Sequence, residues 1–266
     1  MSRPKTRFVA VVLAAQRAGT VDPLAQSHGV THKCLVPIEG SPLIAHVVMA
    51  LFATPGLDEL RIVVEPEMVA PIRALFPRPM PALDFIPAAD NLADSVFAAT
   101  RGVDLPIVVT TADNVLLTPG AVGQMVDTLQ NGADVAIAMA TRQAVLEAHP
   151  EGQRRFYRFT DDEYSNCNLY GFAGSKATAA AESFRGGGQF AKKPMRLIMA
   201  VGVINVMLLA LRKLSLRGAL NRLSVRFGLR IEPVILKDGA HAVDVDNERT
   251  YACAALLLDR RRFALA

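Results

Sequence analysis

Short apolar runs alternate with segments of helical periodicity through the first half of the chain, and this alternation limits the fold more than any other feature. The runs are rich in valine and isoleucine and nearly continuous, as in strands covered on both faces. A repeated strand, helix, strand order favours a mostly parallel sheet between helical layers. The predicted strands are FVAVVLAA (8–15), ELRIVV (59–64), LDFIPA (83–88), PIVVTTAD (106–113) and DVAIAMA (134–140), and the predicted helices span 43–52, 68–75, 92–100 and 121–129.

Length and composition place the chain among folded proteins, and the length allows either one large domain or two small ones. Its 266 residues are 51% hydrophobic, and we predict a single domain over 1–266. The net charge of +4 is too small to indicate a nucleic-acid partner. Three widely spaced cysteines exclude a disulfide framework and favour a reducing, cytoplasmic location. The basic start and the apolar run 8–15 mimic a signal peptide, but we interpret the run as a buried first strand.

The second half of the chain has a different character. Residues 141–176 are polar and aromatic and predict a loop with one or two strands, whereas 185–230 contains ten Lys or Arg and no Asp or Glu. Within it, 197–211 is apolar but shorter than the about 20 residues that a membrane span needs. An amphipathic helix follows, and the chain closes with a strand over 230–236 and a helix over 250–258. Leu216, Leu220, Leu223 and Phe227 form the predicted apolar face of that amphipathic helix, and Arg217, Arg222 and Arg226 its basic face.

We expect the ligand site where the predicted strands end, because open parallel sheets bind ligands beyond the carboxyl ends of their strands. The first strand opens into a loop of small residues, LAAQRAG (13–19), which lets backbone N–H groups approach a phosphate closely. Lys33 follows a dozen residues later, where it can add a point charge on the same polyphosphate. The turn IEGSPLI (38–44) then opens the next predicted helix.

LAAQRAG…HKCLVPIEGSPLI resembles the signature LAAGxGxR…PKxLxxxxGxPLI of nucleotidyltransferases that make NDP-sugars, CDP-alcohols and nucleotide forms of molybdopterin. The resemblance is strongest over 8–120 and returns near 244–256. It implies a three-layer α/β fold with a mostly parallel, twisted sheet, similar to nucleotide-diphospho-sugar transferases. A basic, apolar helical insertion at about 177–230 would precede the last strand.

The resemblance also implies roles for the first loop and for the lysine. Lys33 would stabilise charge at the α-phosphate, with Arg17 as a second catalytic cation. Three positions depart from the family signature, which weakens an assignment to ordinary sugar-nucleotide specificity: Gln16 replaces a glycine, Thr20 falls near the usual arginine, and His32 replaces a proline. The residues that would wrap the triphosphate are Leu13, Ala14, Ala15, Gln16 and Gly19.

The second predicted loop, PAADNLADSVFAA (87–99), offers two interpretations. Asp94 and Ser95 are suitable helix N-caps. The segment is also similar to the ADSV turn of cytidylyltransferases that make CDP-methylerythritol, where this turn contacts base and ribose. On that interpretation Ala93 lets the base lie against backbone and Ser95 hydrogen-bonds it, which favours CTP as the nucleotide.

The third loop places Asp113 directly after a strand of valines. A carboxylate at this edge, joined by a second one, suits Mg²⁺, although an Asp-Asn turn is common at strand ends. The resemblance assigns Asp113 to the metal, and the segment HAVDVDNERTYA (241–252), which is similar to the family's DIDTPEDL, supplies Asp246 as the second ligand. Alternation in VDVD predicts that Asp244 lies on the same strand face as Asp246.

The predicted activity is Mg²⁺-dependent transfer of a nucleotidyl group from an NTP, CTP favoured, to a small phosphorylated acceptor. Asn166, Asn168 and Asp244 are the candidate acceptor ligands. Two rivals stay open: a glycosyltransferase of the same fold, and a non-catalytic nucleotide-binding or membrane-associated regulatory module. For 185–230 the sequence leaves three alternatives, namely a lid that holds an anionic substrate, a peripheral membrane patch, and a core or homodimer helix.

Overall fold

The structure, a computed structural model, describes residues 6–16, 21–76, 80, 82–175, 177–178, 207–208 and 211–265. Its strands are β1 (Phe8–Leu13), β2 (Pro37–Ile38), β3 (Ser41–Pro42), β4 (Leu57–Val64), β5 (Leu83–Pro87), β6 (Ile107–Thr111), β7 (Val135–Thr141), β8 (Tyr157–Arg158), β9 (Glu163–Phe172) and β10 (Ile231–Ile235). Its α-helices are α1 (Pro23–Ser27), α2 (Leu43–Phe52), α3 (Val69–Ala74), α4 (Leu92–Thr100), α5 (Pro119–Gln130), α6 (Arg142–Ala148), α7 (Leu216–Phe227) and α8 (Glu248–Leu265).

The main sheet has the spatial order β10-β7-β9-β6-β1-β4-β5, and β8 extends β9 at one end. β1 pairs in parallel with β4 and β6, as do β4 with β5 and β7 with β10. β9 runs antiparallel between β6 and β7. The predicted mostly parallel α/β sheet is therefore confirmed, with one antiparallel strand inserted at its centre.

Both faces of the sheet are buried, as the unbroken apolar strands predict. Along β1, Ala10 and Val12 face one apolar cluster, whereas Val9 and Val11 face a second cluster on the opposite side. α2 and α5 pack on the first side, and α4 and α7 on the second. This is the three-layer arrangement.

The predicted helices over 43–52 and 92–100 have the observed bounds, and α5 begins two residues earlier than predicted. The Thr118 hydroxyl accepts the Ala121 amide at 3.2 Å, and Pro119 occupies the first turn, where its missing N–H costs nothing. α4 begins after Asn91, whose side-chain oxygen accepts the Asp94 amide at 3.0 Å. The N-cap is therefore Asn91 rather than Asp94 or Ser95.

The basic region before β10 is described only in part. α7 has the predicted amphipathic character, because Leu216 and Leu220 are buried and Leu223 and Phe227 pack on the same cluster of the main sheet. This part of 185–230 thus covers the protein's own core. Most of the apolar run 197–211 lies outside the described residues. Within the described part of the chain, no helix has the length and apolar character needed to cross a bilayer.

The segment 243–246 is not a strand, so the strand predicted from VDVD is wrong. After β10 the chain makes a 3₁₀ turn at Gly239–Ala242 and then crosses the end of β6 in irregular backbone. There the Val245 amide donates a hydrogen bond to the Asp113 carbonyl at 3.2 Å. Alternation of apolar and polar residues makes a strand only where a neighbouring strand offers a ladder, and no such ladder forms here.

Candidate active site

Lys33, Asp113 and Asp246 meet in one cleft beyond the carboxyl end of β6. The Lys33 Nζ lies 2.5 Å from Asp113 Oδ2 and 2.7 Å from Asp246 Oδ1. The side chains of Lys33 and Asp113 are largely buried, whereas that of Asp246 is 66% exposed. The three residues that the sequence assigned to one polyphosphate site are therefore brought together.

Local sequence fixes the position of Asp113. β6 ends at Thr111, whose hydroxyl donates to Asp113 Oδ1 at 2.5 Å. The next residue, Asn114, is fully buried, and its amide donates to Thr110 Oγ1 and to the Cys167 carbonyl, both at 3.1 Å. These bonds join the end of β6 to β9 and hold the turn that presents the carboxylate to Lys33.

Lys33 stands on a short 3₁₀ turn, Lys33–Leu35, anchored by the buried Cys34. Burial would lower the pKa of Lys33, but the carboxylates of Asp113 and Asp246 more than offset it and raise the pKa above its ordinary value. Lys33 therefore carries its charge throughout the neutral range. It can serve as a fixed cation but not as a proton acceptor.

Asp244 is a third carboxylate, buried behind the other two. Its Oδ2 accepts a hydrogen bond from Asn168 Nδ2 at 2.6 Å, while its buried Oδ1 has no partner among the described residues. Burial, together with Asp113 and Asp246, raises the pKa of Asp244 well above its ordinary value. An unpartnered oxygen beside two carboxylates is a position where a cation would lower the energy of the site.

Asn168 owes its position to an irregularity in β9. Residues Ile137 to Met139 of β7 face Tyr170 to Asn166 of β9, so that β9 carries extra residues at this point. Asn168 adopts a left-handed backbone with φ 45°, and the Asn166 side chain accepts its amide at 3.0 Å. The bulge turns Asn168 toward Asp244, a common function of such irregularities beside active sites.

The carboxylate set fits a hard divalent cation. Mg²⁺ takes one or two protein carboxylates and fills its remaining positions with water and substrate phosphate oxygens. Asp113 and Asp246, with the unpartnered Oδ1 of Asp244 behind them, supply such oxygens. Within the described ranges, no three His, Cys, Asp or Glu side chains form a preformed metal cage, and Lys33 stands between the two carboxylates.

The first loop is described as far as Gln16. Leu13 is half-buried, Ala14 is buried, and Ala15 is exposed at the edge of the cleft. The backbone N–H of Gln16 donates to Glu65 Oε1 at 2.8 Å, and the side-chain amide of Gln16 donates to the Thr31 carbonyl at 3.3 Å. Two members of the predicted site, Arg17 and Gly19, lie outside the described residues, as does Thr20.

Glu65 is a residue of this cleft that the sequence reasoning missed. It follows β4 directly, as Asp113 follows β6 closely, so an acidic residue after a buried strand was the available signal. Its Oε2 is buried, has no hydrogen-bond partner in the part of the chain that the structure describes, and lies 3.9 Å from His32 Nε2. The Glu65 carboxylate thus accepts a hydrogen bond from the backbone N–H of Gln16, the residue that replaces the glycine of the family signature.

Ala93 and Ser95 lie in the first turn of α4 and are both buried. The Ser95 hydroxyl accepts the Ala89 amide at 3.0 Å, which fixes the turn between β5 and α4. Their contact with a nucleobase stays a prediction. Because Ala93 is fully buried, such a contact would use the surface of the turn rather than the methyl group itself.

A cavity of about 920 Å³ opens beside Asp244 and Asp246. Asn166 and Asn168 line its inner end, where the sequence placed the acceptor ligands. The Asn166 amide also donates to the Tyr170 hydroxyl, which holds the strand face that borders the cavity. The outer wall carries arginines from 142–158, a contribution that the sequence reasoning did not identify.

Comparison with known proteins identifies the family of this chain. The model of the MobA-like NTP transferase domain matches residues 10–236. A hypothetical transferase from Thermus thermophilus is 27% identical with a TM-score of 0.75, and the match covers 92% of this chain and all of that one. Comparison with curated proteins gave no match.

Two more distant structures share the fold alone. A 4-diphosphocytidyl-2C-methyl-D-erythritol synthase from Anaerococcus prevotii is 10% identical with a TM-score of 0.61, and the match covers 96% of this chain and 97% of that one. A CMP:2-keto-3-deoxy-manno-octonic acid synthetase complexed with CTP is 13% identical with a TM-score of 0.60, covering 96% and 100%. With the family model matching most of its length, the chain belongs to the MobA-like NTP transferase domain family and is a nucleotidyltransferase.

Proposed function

We propose that the protein transfers a nucleotidyl group from an NTP, CTP favoured, to a small phosphorylated acceptor in a Mg²⁺-dependent reaction. An acceptor phosphate oxygen attacks the α-phosphorus, the new oxygen–phosphorus bond forms, and the bond from the α-phosphorus to the bridging oxygen breaks. The electron pair leaves with pyrophosphate. The single observation that carries the proposal is the convergence of Lys33, Asp113 and Asp246 at one strand edge.

The residues of the cleft suit a reaction governed by positioning and charge neutralisation. Asp113 and Asp246 would hold the divalent ion, which when bound supplies charge neutralisation at the phosphates. Lys33 exchanges its carboxylate partners for phosphate oxygens and remains protonated while charge develops at the α-phosphate. The described cleft requires no covalent nucleophile for this chemistry, and its nearby thiol, Cys34, is buried with a pKa raised to about 12 by burial.

The preference for CTP rests on two supports. The two distant structural neighbours are a diphosphocytidyl synthase and a CMP-sugar acid synthetase in complex with CTP. The first turn of α4 carries the ADSV segment (93–96) beyond the carboxyl end of β5, on the same sheet edge as Ala14 and Ala15. A base seated between these two loops would lie against backbone, which suits a small pyrimidine.

The proposal is tested by incubating the protein with each of the four NTPs, Mg²⁺ and a panel of sugar, polyol and inositol phosphates, while pyrophosphate release is measured. We expect release with one nucleotide, CTP, and with one acceptor class. Omission of the acceptor is the internal control, because hydrolysis alone would then account for any release. Tight NTP binding without release for any acceptor would contradict the proposal.

A further inference from the structure

The outer half of the 920 Å³ cavity is an arginine-rich wall on the acceptor side of the candidate active site. Four arginines line it, and the wall is defined here as Arg142, Arg154, Arg155 and Arg158. Asp244 and Asp246 line the same cavity at its inner end. One continuous space therefore joins the carboxylates, where nucleotidyl transfer is proposed, to a cluster of positive charge.

The charge of the arginine-rich wall is only partly neutralised by carboxylates of the described residues. One carboxylate, that of Glu163, lies 2.8 Å from Arg158 and 3.3 Å from Arg142, so it is shared between two guanidinium groups. Arg154 pairs with Glu151 at 2.7 Å. The guanidinium of Arg155 has no hydrogen-bond or ion-pair partner among the residues that the structure describes, although it lines the cavity.

The wall is held at a defined distance from the carboxylates. β8 pairs with the outer end of β9, Arg158 opposite Glu163, whereas Asn168 holds Asp244 five residues further along β9. At about 3.3 Å per residue, at most roughly 16 Å of strand separates the two ends. The guanidinium of Arg142 lies 5.9 Å from the Phe156 ring centroid, which restricts one of the arginines before any ligand arrives.

We infer that the acceptor carries a second anionic group, a phosphate or a carboxylate, at the end remote from its reacting phosphate, and that Arg155 and Arg158 bind that group. The inference rests on the proposed function, since it assigns the substrate class of the same site. Planar guanidinium groups bind such oxyanions in a bidentate manner, and excess positive charge in a cleft gives selectivity for multiply charged ligands. Acceptors with a single phosphate would leave this charge uncompensated.

The test uses the full chain and matched probes that differ by one anionic group. Calorimetry would compare glucose 1-phosphate with glucose 1,6-bisphosphate, and ribose 5-phosphate with ribose 1,5-bisphosphate. We expect each bisphosphate to bind the wild type about tenfold more tightly than its monophosphate. Arg155→Gln and Arg158→Gln should each reduce this preference severalfold. Arg101→Gln, an exposed arginine at the far end of α4, is the matched control and should leave the preference unchanged.

A variant that binds the bisphosphates more tightly than the wild type would support the inference in a way that damage to the fold cannot explain. Glu163→Gln leaves the guanidinium groups of Arg142 and Arg158 without their shared carboxylate, so bisphosphate affinity should rise about threefold. Equal affinity for both members of each pair, no measurable binding of either, or an unchanged preference in the arginine variants would overturn the inference. CTP binding, measured in parallel, should be the same in all five proteins; its absence from the wild type would instead count against the proposed function.

Discussion

Lys33 Nζ lies 2.7 Å from Asp246 Oδ1 although 213 residues separate them in the chain. Together with the contact to Asp113, it requires the 3₁₀ turn after α1, the end of β6 and the loop after β10 to reach one place. Each of these segments is anchored separately, by the buried Cys34, by Thr111 and by the Val245 amide. Lys33 and Asp113 are therefore part of the folded frame, whereas the side chain of Asp246 is 66% exposed at the surface of the cleft.

Replacing Asp113 by Asn should lower pyrophosphate release by about 100-fold or more while the fold persists, because one carboxylate for the proposed divalent ion is lost. Steady-state turnover and circular dichroism check the two halves of this prediction. Asp127→Asn, an exposed aspartate on α5, is the matched control and should retain full turnover. Wild-type activity in Asp113→Asn would show that Asp113 is only a turn residue.

Lys33→Met should lower both turnover and the free energy of unfolding, the latter by on the order of 2 kcal/mol, because Asp113 and Asp246 would face each other and Asp244 without a cation. Millimolar Mg²⁺ should raise the melting temperature of this variant more than that of the wild type. Lys237→Met, an exposed lysine, serves as the control in both measurements. A melting temperature insensitive to Mg²⁺ in Lys33→Met would argue against a cation site at these carboxylates.

Asn168→Asp should lower the free energy of unfolding more than Asn168→Gly does. Asn168→Gly keeps the left-handed backbone but loses the donor to Asp244, for which we expect a cost of about 1–2 kcal/mol in chemical denaturation. Asn168→Asp also loses the donor, and it puts a further carboxyl group 2.6 Å from Asp244 Oδ2, with Asp113 and Asp246 nearby, so its loss of stability at pH 7 should be larger. Equal stability of the two variants at pH 7 would contradict the short distance between residue 168 and the carboxyl group of Asp244.

His241 should make the free energy of unfolding depend on pH in the acid range. Burial lowers its pKa to about 4 from the ordinary 6.5, so below pH 6.5 the unfolded chain takes up a proton that the folded chain does not. Stability from this group is therefore complete above pH 6.5 and decreases as pH falls toward 4, by about 2 kcal/mol between pH 6.5 and 5. Urea denaturation from pH 7.5 to 5 would measure the slope. His241→Gln should flatten it below pH 6.5 and leave it unchanged above, and an identical slope in both proteins would refute this origin.

Glu65→Gln should tighten NTP binding about threefold. The Glu65 carboxylate now accepts the Gln16 amide beside the loop proposed to bind the triphosphate, so removing its charge removes a repulsion while an acceptor oxygen remains. Fluorescence titration with a labelled CTP would measure the affinity. Glu67→Gln, two residues away and exposed, is the control. Weaker binding in Glu65→Gln would mean that the carboxylate positions the loop rather than opposing the ligand.

Much of the frame follows from local pattern. α2 and α4 have the bounds that their periodicity predicts, and the valine-rich runs became strands because each could bury both faces. The sequence did not delimit β9 as a strand, because its polar and aromatic residues become buried only when it pairs between β6 and β7. The VDVD segment failed for the converse reason: it has the pattern of a strand but no neighbouring strand to pair with.

The amino-acid sequence by itself determined the mostly parallel sheet. It also identified Lys33, Asp113 and Asp246, each separately, as candidates for a site that we predict at the carboxyl edge of the strands. Tertiary structure alone decided that Asp244 packs against Asn168 and that the Glu65 carboxylate accepts the backbone N–H of Gln16. It also decided that arginines near 142–158 line the cavity beside Asp244. Periodicity and turn chemistry act between residues a few positions apart. Burial and charge act through space, and their effects exist only once distant segments have been packed together.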